Sequence, residues 1–64
     1  MHPSITALLK FFAYTHLPPH LQEVSAPFGV LAQTVADRAP DSPETTVAIR
    51  KLLEAKDCAV RAIL

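Results

Sequence analysis

The pattern of apolar positions divides the chain into three helical segments. In the first, from about Ser4 to Tyr14, apolar residues recur at the i, i+3, i+4 and i+7 spacing of one helical face: Ile5, Leu8, Leu9 and Phe12. Ser4 precedes this face and carries a side chain suited to an N-cap. The pattern predicts a short amphipathic helix within residues 1–16.

The second segment, residues 17–39, follows a double proline, Pro18–Pro19, which ends one helix and suits the first turn of the next. Pro27 interrupts this segment, so either the helix kinks there or Ser25 caps a fresh start. We favour the kink. At about 100° per residue, one apolar stripe runs along the segment: Leu17, Leu21, Val24, Phe28, Leu31, Ala32 and Val35.

The third segment, residues 43–64, has the clearest start. Asp41 or Ser42 is placed as its N-cap, Pro43 in its first turn, and Glu44 beside the exposed amides. Two long striped helices joined by a short turn predict an antiparallel αα-hairpin. The predicted fold is therefore one all-α domain, residues 1–64. The stripe of the third segment is Thr45, Ile49, Leu52, Leu53, Ala59, Val60 and Ile63.

The size of the chain predicts a homo-oligomer. A 64-residue chain buries only about 60% of the surface that its unfolded form exposes. The hairpin covers its two stripes only partly, and the first segment is left over as a further apolar surface. We expect Leu8 and Phe12 to lie in the interface between copies, so that an Asp at either position dissociates the assembly.

Charge and composition exclude several classes of function. Six Lys plus Arg balance six Asp plus Glu, so we expect neither a nucleic-acid polymer nor an anionic membrane as partner. No apolar run approaches the roughly 20 residues of a membrane span, and the N-terminus lacks the basic region of a signal peptide. The single Cys58 suits a reducing compartment, so we expect a cytoplasmic protein.

Neither an enzyme nor a metal site is expected. The sequence has no nucleophile elbow and no Gly-rich phosphate loop, and the chain is too short to enclose a catalytic site. His16 and His20 are four residues apart, but a zinc site needs three or four ligands and only Cys58 could join them. We expect no cofactor.

Charged residues of the third segment allow two interpretations. A ladder of exposed ion pairs is the favoured one, and the alternative is that the two arginines hold anionic groups. Lys56 falls on the buried stripe, so it must snorkel, pair with an acid such as Glu23 or Asp37, or face an anionic ligand. The ladder would consist of Arg50, Glu54, Asp57 and Arg61.

The aromatic residues around the first boundary are the second candidate for binding. Phe11 and Tyr14 lie off the stripe that Phe12 occupies. Aromatic faces stack on nucleobases and also pack in interfaces. The two residues are therefore either oligomer contacts or a base-stacking surface.

Taken together, four stretches of the chain resemble a known family, the hairpin domain of the phage anti-CBASS and anti-Thoeris sponges. The stretches are Phe12-Ala13-Tyr14-Thr15-His16-Leu17-Pro18, the stripe through Gln22 to Leu31-Ala32, the turn Pro40-Asp41-Ser42-Pro43-Glu44, and residues 48–62 with their Leu-Glu-Ala block. The resemblance covers nearly the whole chain from Phe12 onwards.

The resemblance implies a helical hairpin that forms homo-oligomers, often hexamers, in the cytoplasm of the infected bacterial host. It implies sequestration of cyclic nucleotide second messengers without cleavage, whether cyclic oligonucleotides or cyclic ADP-ribose isomers. Tyr14 would stack on a base, with His16 and Pro18 shaping the pocket. Arg50 and Lys51 would face a second, larger site.

Two further cations, Lys56 and Arg61, complete the predicted ligand-binding set, because symmetric assembly repeats each positive charge around a ligand. A rival hypothesis belongs to another class of function. It is a small structural or protein-interaction module whose off-stripe residues Phe11, Val30 and Val47 dock a partner protein.

Overall fold

The computed structural model describes residues 1–64 and contains three α-helices and no strand. Helix α1 spans Pro3–Leu9 and continues into a 3₁₀ turn, Lys10–Phe12. Helices α2, Pro19–Arg38, and α3, Pro43–Ala62, pack along each other as the predicted hairpin. The N-terminal segment packs across both of them. None of the helices is long and apolar enough to span a membrane.

Each α-helix begins with a proline. Pro3, Pro19 and Pro43 occupy the first helical position of their helices, where the missing N–H would have no partner and the fixed φ suits the helix. Ser42 caps α3, as predicted: its Oγ accepts a hydrogen bond from the Thr45 amide at 3.2 Å. Proline therefore sets all three helix starts.

The first helix differs from its prediction at both ends. Its N-cap is His2 and not Ser4, because the Nδ1 of His2 accepts the Ser4 amide at 3.1 Å. The α-helix ends at Leu9, and the chain tightens into the 3₁₀ turn up to Phe12 and does not continue as helix to Tyr14. Such tightening of a last turn is common at helix ends.

Helix α2 is continuous through Pro27. The fresh start at Ser25 is therefore wrong, because Ser25 lies in the interior of one 20-residue helix. The missing N–H of Pro27 leaves the Glu23 carbonyl without its helical partner. Both residues are exposed, so water can hydrate that carbonyl.

The core joins the N-terminal segment to the hairpin. Ile5, Ala32 and Ile49 have no exposed surface, and Phe12 is 4% exposed. The first segment is thus not a left-over apolar surface, and Phe12 is a core residue of the single chain. Half-buried apolar residues surround this centre: Leu8, Leu9, Phe28, Val35, Leu52 and Leu53.

The buried face of α2 consists mostly of small residues, and the predicted apolar stripe did not include all of them. Ser25 is fully buried, whereas Leu31 on the predicted stripe is 48% exposed. A Cβ at Gly29 would lie 3.3 Å from the carbonyl oxygen of Phe12, so glycine permits the close approach of the 3₁₀ turn. Ile63 is also exposed, because α3 ends at Ala62.

The total accessible surface of the single chain is 4189 Å². A folded monomer of its mass is expected to expose about 4,000 Å². The single chain is therefore about as compact as an ordinary folded monomer of its mass. Several large apolar side chains remain exposed nevertheless, namely Met1, Phe11, Val30, Leu31, Val47, Ile63 and Leu64.

Candidate ligand-binding cleft

An open cleft of about 340 Å³ lies between the 3₁₀ turn, the loop that follows it and the last turns of α3. It contains three cations and one carboxylate, a net formal charge of +2 with its histidine neutral. Local positive charge therefore exists in a chain whose total charge is zero. We call it the turn cleft, and its charged and aromatic lining is Lys10, Phe11, His16, Lys56, Asp57 and Arg61.

The turn cleft brings together three of the predicted ligand-binding residues, His16, Lys56 and Arg61. It also contains Lys10, which was not among the predicted ligand-binding residues. The sequence could have indicated it, because Lys10 is the one charged residue in the apolar run Ile5–Phe12. A cation at the end of an amphipathic helix lies close to the elements that pack against that end.

Lys56 is engaged inside the protein. Its Nζ donates to the Phe11 carbonyl at 2.9 Å and lies 3.0 Å from Oδ1 of Asp57, with only 13% of the side chain exposed. The prediction that Lys56 pairs with Glu23 or Asp37 is wrong. Both of those acids are exposed on α2, while Asp57 is the next residue along α3.

The predicted ladder of ion pairs along α3 does not form. Its two acids pair with neighbouring lysines, Lys51–Glu54 at 3.7 Å and Lys56–Asp57 at 3.0 Å. Arg61 has no carboxylate partner, and its Nη2 donates only to Sγ of Cys58 at 3.5 Å. Because sulfur is a weak acceptor, the guanidinium of Arg61 remains available to an anion in the turn cleft.

Tyr14 lines a neighbouring cleft of about 280 Å³ that shares Lys10 and Ala13 with the turn cleft. We call it the Tyr14 cleft. The ring lies against the Cα side of Gly29, where a Cβ would be 3.8 Å from Cδ1 of Tyr14. Tyr14 is half-buried. Gln33 of α2 also lines this cleft.

Hydrogen bonds hold the loop that carries His16. The Nε2 of Gln22 donates to the Leu17 carbonyl at 2.7 Å and to the Thr15 carbonyl at 3.3 Å. The Leu17 amide donates to the Tyr14 carbonyl at 2.9 Å. Pro18, predicted to shape the pocket, is the exposed residue before α2 and lines none of the clefts.

Arg50 lies in a separate cleft of about 390 Å³ at the starts of α1 and α3, which we call the Arg50 cleft. Arg61 lies eleven positions after Arg50, or about 16 Å along α3. Lys51 lies outside every cleft, with 72% of its side chain exposed. The polar lining of the Arg50 cleft is His2, Ser4, Asp41, Ser42, Thr46 and Arg50.

Fold and site together define a small three-helix protein with one cationic cleft beside exposed aromatic surface. No cluster of three or more His, Cys, Asp or Glu side chains is placed to hold a metal ion. No protein-family model matches this chain, and comparisons with the curated proteins and with the solved structures found no match.

Proposed function

We propose that this protein binds cyclic nucleotide second messengers and sequesters them without cleaving them. The ligand would be a cyclic oligonucleotide or a cyclic ADP-ribose isomer of bacterial anti-phage defence, and the protein a phage product acting in the host cytoplasm. The observation that carries the proposal is the turn cleft, where unpaired cationic side chains lie beside the exposed ring of Phe11.

Each part of such a ligand has a counterpart in the cleft. Arg61 can hold a phosphate in bidentate fashion, and Lys10 adds a second positive charge. Phe11 is 64% exposed, so its face is free to stack on a base. Tyr14 offers a second ring in the neighbouring cleft, which also contains Lys10, and stacking is worth about 1–3 kcal/mol per base.

A homo-oligomer, which the sequence resemblance implies to be a hexamer, would complete the site. The turn cleft of one chain is open to solvent and carries a net formal charge of only +2. When the same face of two or more copies converges, every cation and ring is repeated around one ligand. Repetition would turn an open cleft into an enclosed site.

The binding test compares two arginines. We expect a cyclic nucleotide at 100 times its dissociation constant to raise the stability of the protein by about 2.7 kcal/mol in a thermal-shift panel. Arg61→Ala should abolish most of this shift. Arg38→Ala is the matched control, because Arg38 is exposed at the end of α2 and lines no cleft. Equal loss in both variants would contradict a site in the turn cleft.

Sequestration is tested by recovering the ligand. The protein is incubated with each candidate messenger and then heated, and the released ligand is quantified by chromatography. We expect complete recovery of intact messenger at every protein concentration, because the cleft holds no metal cluster and no paired nucleophile and base. Hydrolysis of the messenger in proportion to the added protein would contradict sequestration and would indicate an enzyme.

The assembly is tested by sedimentation at low micromolar concentration, where we expect a stable oligomer. Val30→Lys is the variant of choice, because Val30 is 62% exposed on the outside of α2 and its change spares the core. It should shift the distribution to smaller species with the helical content unchanged. A folded monomer for the unmodified protein would remove the oligomer from the proposal.

The exposed apolar residues favour a second candidate, a protein-interaction module. Val30 on α2 is 62% exposed and Val47 on α3 is 38% exposed. Protein capture that Val47→Lys abolishes, in a protein that binds no nucleotide, would favour this candidate.

A further inference from the structure

Lys56 bonds two distant parts of the chain together. An ammonium group has three N–H donors, and Nζ of Lys56 uses them on the Phe11 carbonyl at 2.9 Å and on the Asp57 carboxylate at 3.0 Å. The first bond spans 45 residues of sequence. The carbonyls at the end of a helical turn lack intrahelical partners, and Lys56 supplies one for Phe11.

The N-terminal segment is held to α3 at both of its ends. Near its start, the hydroxyls of Ser4 and Thr46 lie 3.5 Å apart. At its end stands the Lys56–Phe11 bond, which is shorter and charge-assisted, and such bonds are about twice as strong as neutral ones. Of the two hydrogen-bonding contacts, the Lys56–Phe11 bond therefore contributes more to holding the segment on α3, in addition to the packing of Phe12 in the core.

We propose that Lys56 is a positioning residue that fixes the Phe11 main chain, and with it the aromatic wall of the turn cleft. The effect of Lys56 on ligand binding rests on the proposed function, whereas its effect on the position of the Phe11 main chain does not. Binding of phosphate then falls to Lys10 and Arg61, whose charged groups are not held by a carboxylate. Lys56 acts on the ligand only through the placement of Phe11.

The structural part is tested by hydrogen exchange on the full chain. Lys56→Met keeps the apolar stem and removes the ammonium, and Lys51→Met is the matched control on the exposed face of the same helix. We expect the amides of Ala13 and Leu17 to exchange at least about tenfold faster in Lys56→Met, because a hydrogen bond to a charged group is lost. Lys51→Met should exchange like the unmodified protein.

Unchanged exchange at Ala13 and Leu17 in a folded Lys56→Met protein would overturn the inference. If that variant does not fold, Asp57→Asn supplies the milder perturbation, since it removes the charge that holds the ammonium in place. It should raise exchange at the same amides by a smaller factor. No rise there would equally count against the positioning role.

The ligand part compares a probe that has bases with one that has none. We expect Lys56→Met to weaken binding of cyclic di-adenosine monophosphate about tenfold, the scale of one lost stacking contact. Pyrophosphate, which has no base to stack, should lose less affinity, through the lower charge of the cleft alone. Lys56→Arg, which keeps a cationic donor, should restore most of the affinity. An equal loss for both probes would make Lys56 a phosphate ligand. If no cyclic nucleotide binds the unmodified protein, the proposed function is wrong. The positioning role of Lys56 is then tested by the hydrogen-exchange experiment alone.

Discussion

The turn cleft and the Arg50 cleft lie at opposite ends of the same helix and differ in chemistry. The Arg50 cleft is larger, about 390 Å³ against about 340 Å³, but its lining has one arginine and one aspartate, no net formal charge with its histidine neutral, and no Phe, Tyr or Trp. The turn cleft has surplus positive charge and the exposed ring of Phe11. The proposed ligand site therefore rests on uncompensated charge beside an aromatic ring and not on the size of the cleft.

The two clefts differ in how the polar side chains at the neighbouring helix ends are paired. At the Arg50 cleft, the side chains of His2 and Ser42 cap the helix starts, so the polar groups are largely used within the protein. At the turn cleft, the carboxylate of Asp57 serves Lys56, which leaves Lys10 and Arg61 without acidic partners. The polar groups of the first cleft are used in capping, whereas the second cleft keeps two cations without acidic partners.

The largest expected effect concerns the two adjacent phenylalanines of the 3₁₀ turn, of which Phe11 lines the turn cleft and Phe12 the Tyr14 cleft. Phe12→Ala should cost about 3–5 kcal/mol, which for 64 residues is comparable with a total stability of roughly 3–10 kcal/mol. Its neighbour Phe11 is the matched control, because it is 64% exposed while Phe12 is 4% exposed. Thermal unfolding followed by circular dichroism should show Phe12→Ala largely unfolded and Phe11→Ala close to the unmodified protein. Equal stability of the two variants would place Phe12 outside the core.

The second prediction sets the two arginines against each other. Arg61→Ala should weaken cyclic nucleotide binding by about 1.5–3 kcal/mol, the range for hydrogen bonds to charged groups, and should flatten its dependence on salt. Arg50→Ala should change neither quantity by much, since Arg50 lies about 16 Å further along α3. Calorimetric titration at low and high salt measures both. The reverse pattern would move the site to the Arg50 cleft.

The third prediction separates stacking from charge. Tyr14→Ala should weaken binding by about 1–3 kcal/mol if one base stacks on that ring. Its salt dependence should stay that of the unmodified protein, because no charge is removed. Tyr14→Phe is the control that keeps the ring, and it should bind normally. Loss of affinity in Tyr14→Phe would assign the contribution to the hydroxyl and not to stacking.

The fourth prediction uses the cap at the Arg50 cleft. Ser42→Ala removes the hydrogen bond from the Thr45 amide and should cost about 1 kcal/mol, a fall in Tm of about 4–8 °C for a domain of this size. Ser42→Asp, which can also cap, should restore most of it. Binding at the turn cleft should be unaffected, and a parallel loss of binding would show that the two clefts are coupled.

Local sequence signals predicted the helices well because they depend on adjacent residues. The prolines at 3, 19 and 43 and the Ser42 cap act within one turn, so the starts of α2 and α3 follow from the sequence alone. The Ser4 cap failed for a local reason too, since Pro3 lies before it and favours the first helical position.

Packing and long-range partners could not be predicted in the same way. Apolar bulk favoured Leu31 as a core residue, but the structure buries Ser25 because small side chains let the elements approach. The partner of Lys56 is a main-chain carbonyl 45 residues away, which no spacing rule encodes. Of the predicted site, His16, Lys56 and Arg61 share a cleft, whereas Arg50 does not join them.

The smallest expected effect tests a group that neither cleft uses. Ser25 is fully buried in α2, and its hydroxyl has no hydrogen-bond partner. An unpaired buried hydroxyl costs stability, whereas replacing it by an apolar group of similar shape is neutral or stabilising. Ser25→Ala should therefore leave the unfolding free energy unchanged or raise it by up to about 1 kcal/mol, with ligand binding unaltered. Ser25→Val is the steric control and should destabilise, because overpacking a close helix contact costs about 1–3 kcal/mol. A loss of stability in Ser25→Ala, measured by urea unfolding, would show that the hydroxyl makes a hydrogen bond that helps hold α2 in place.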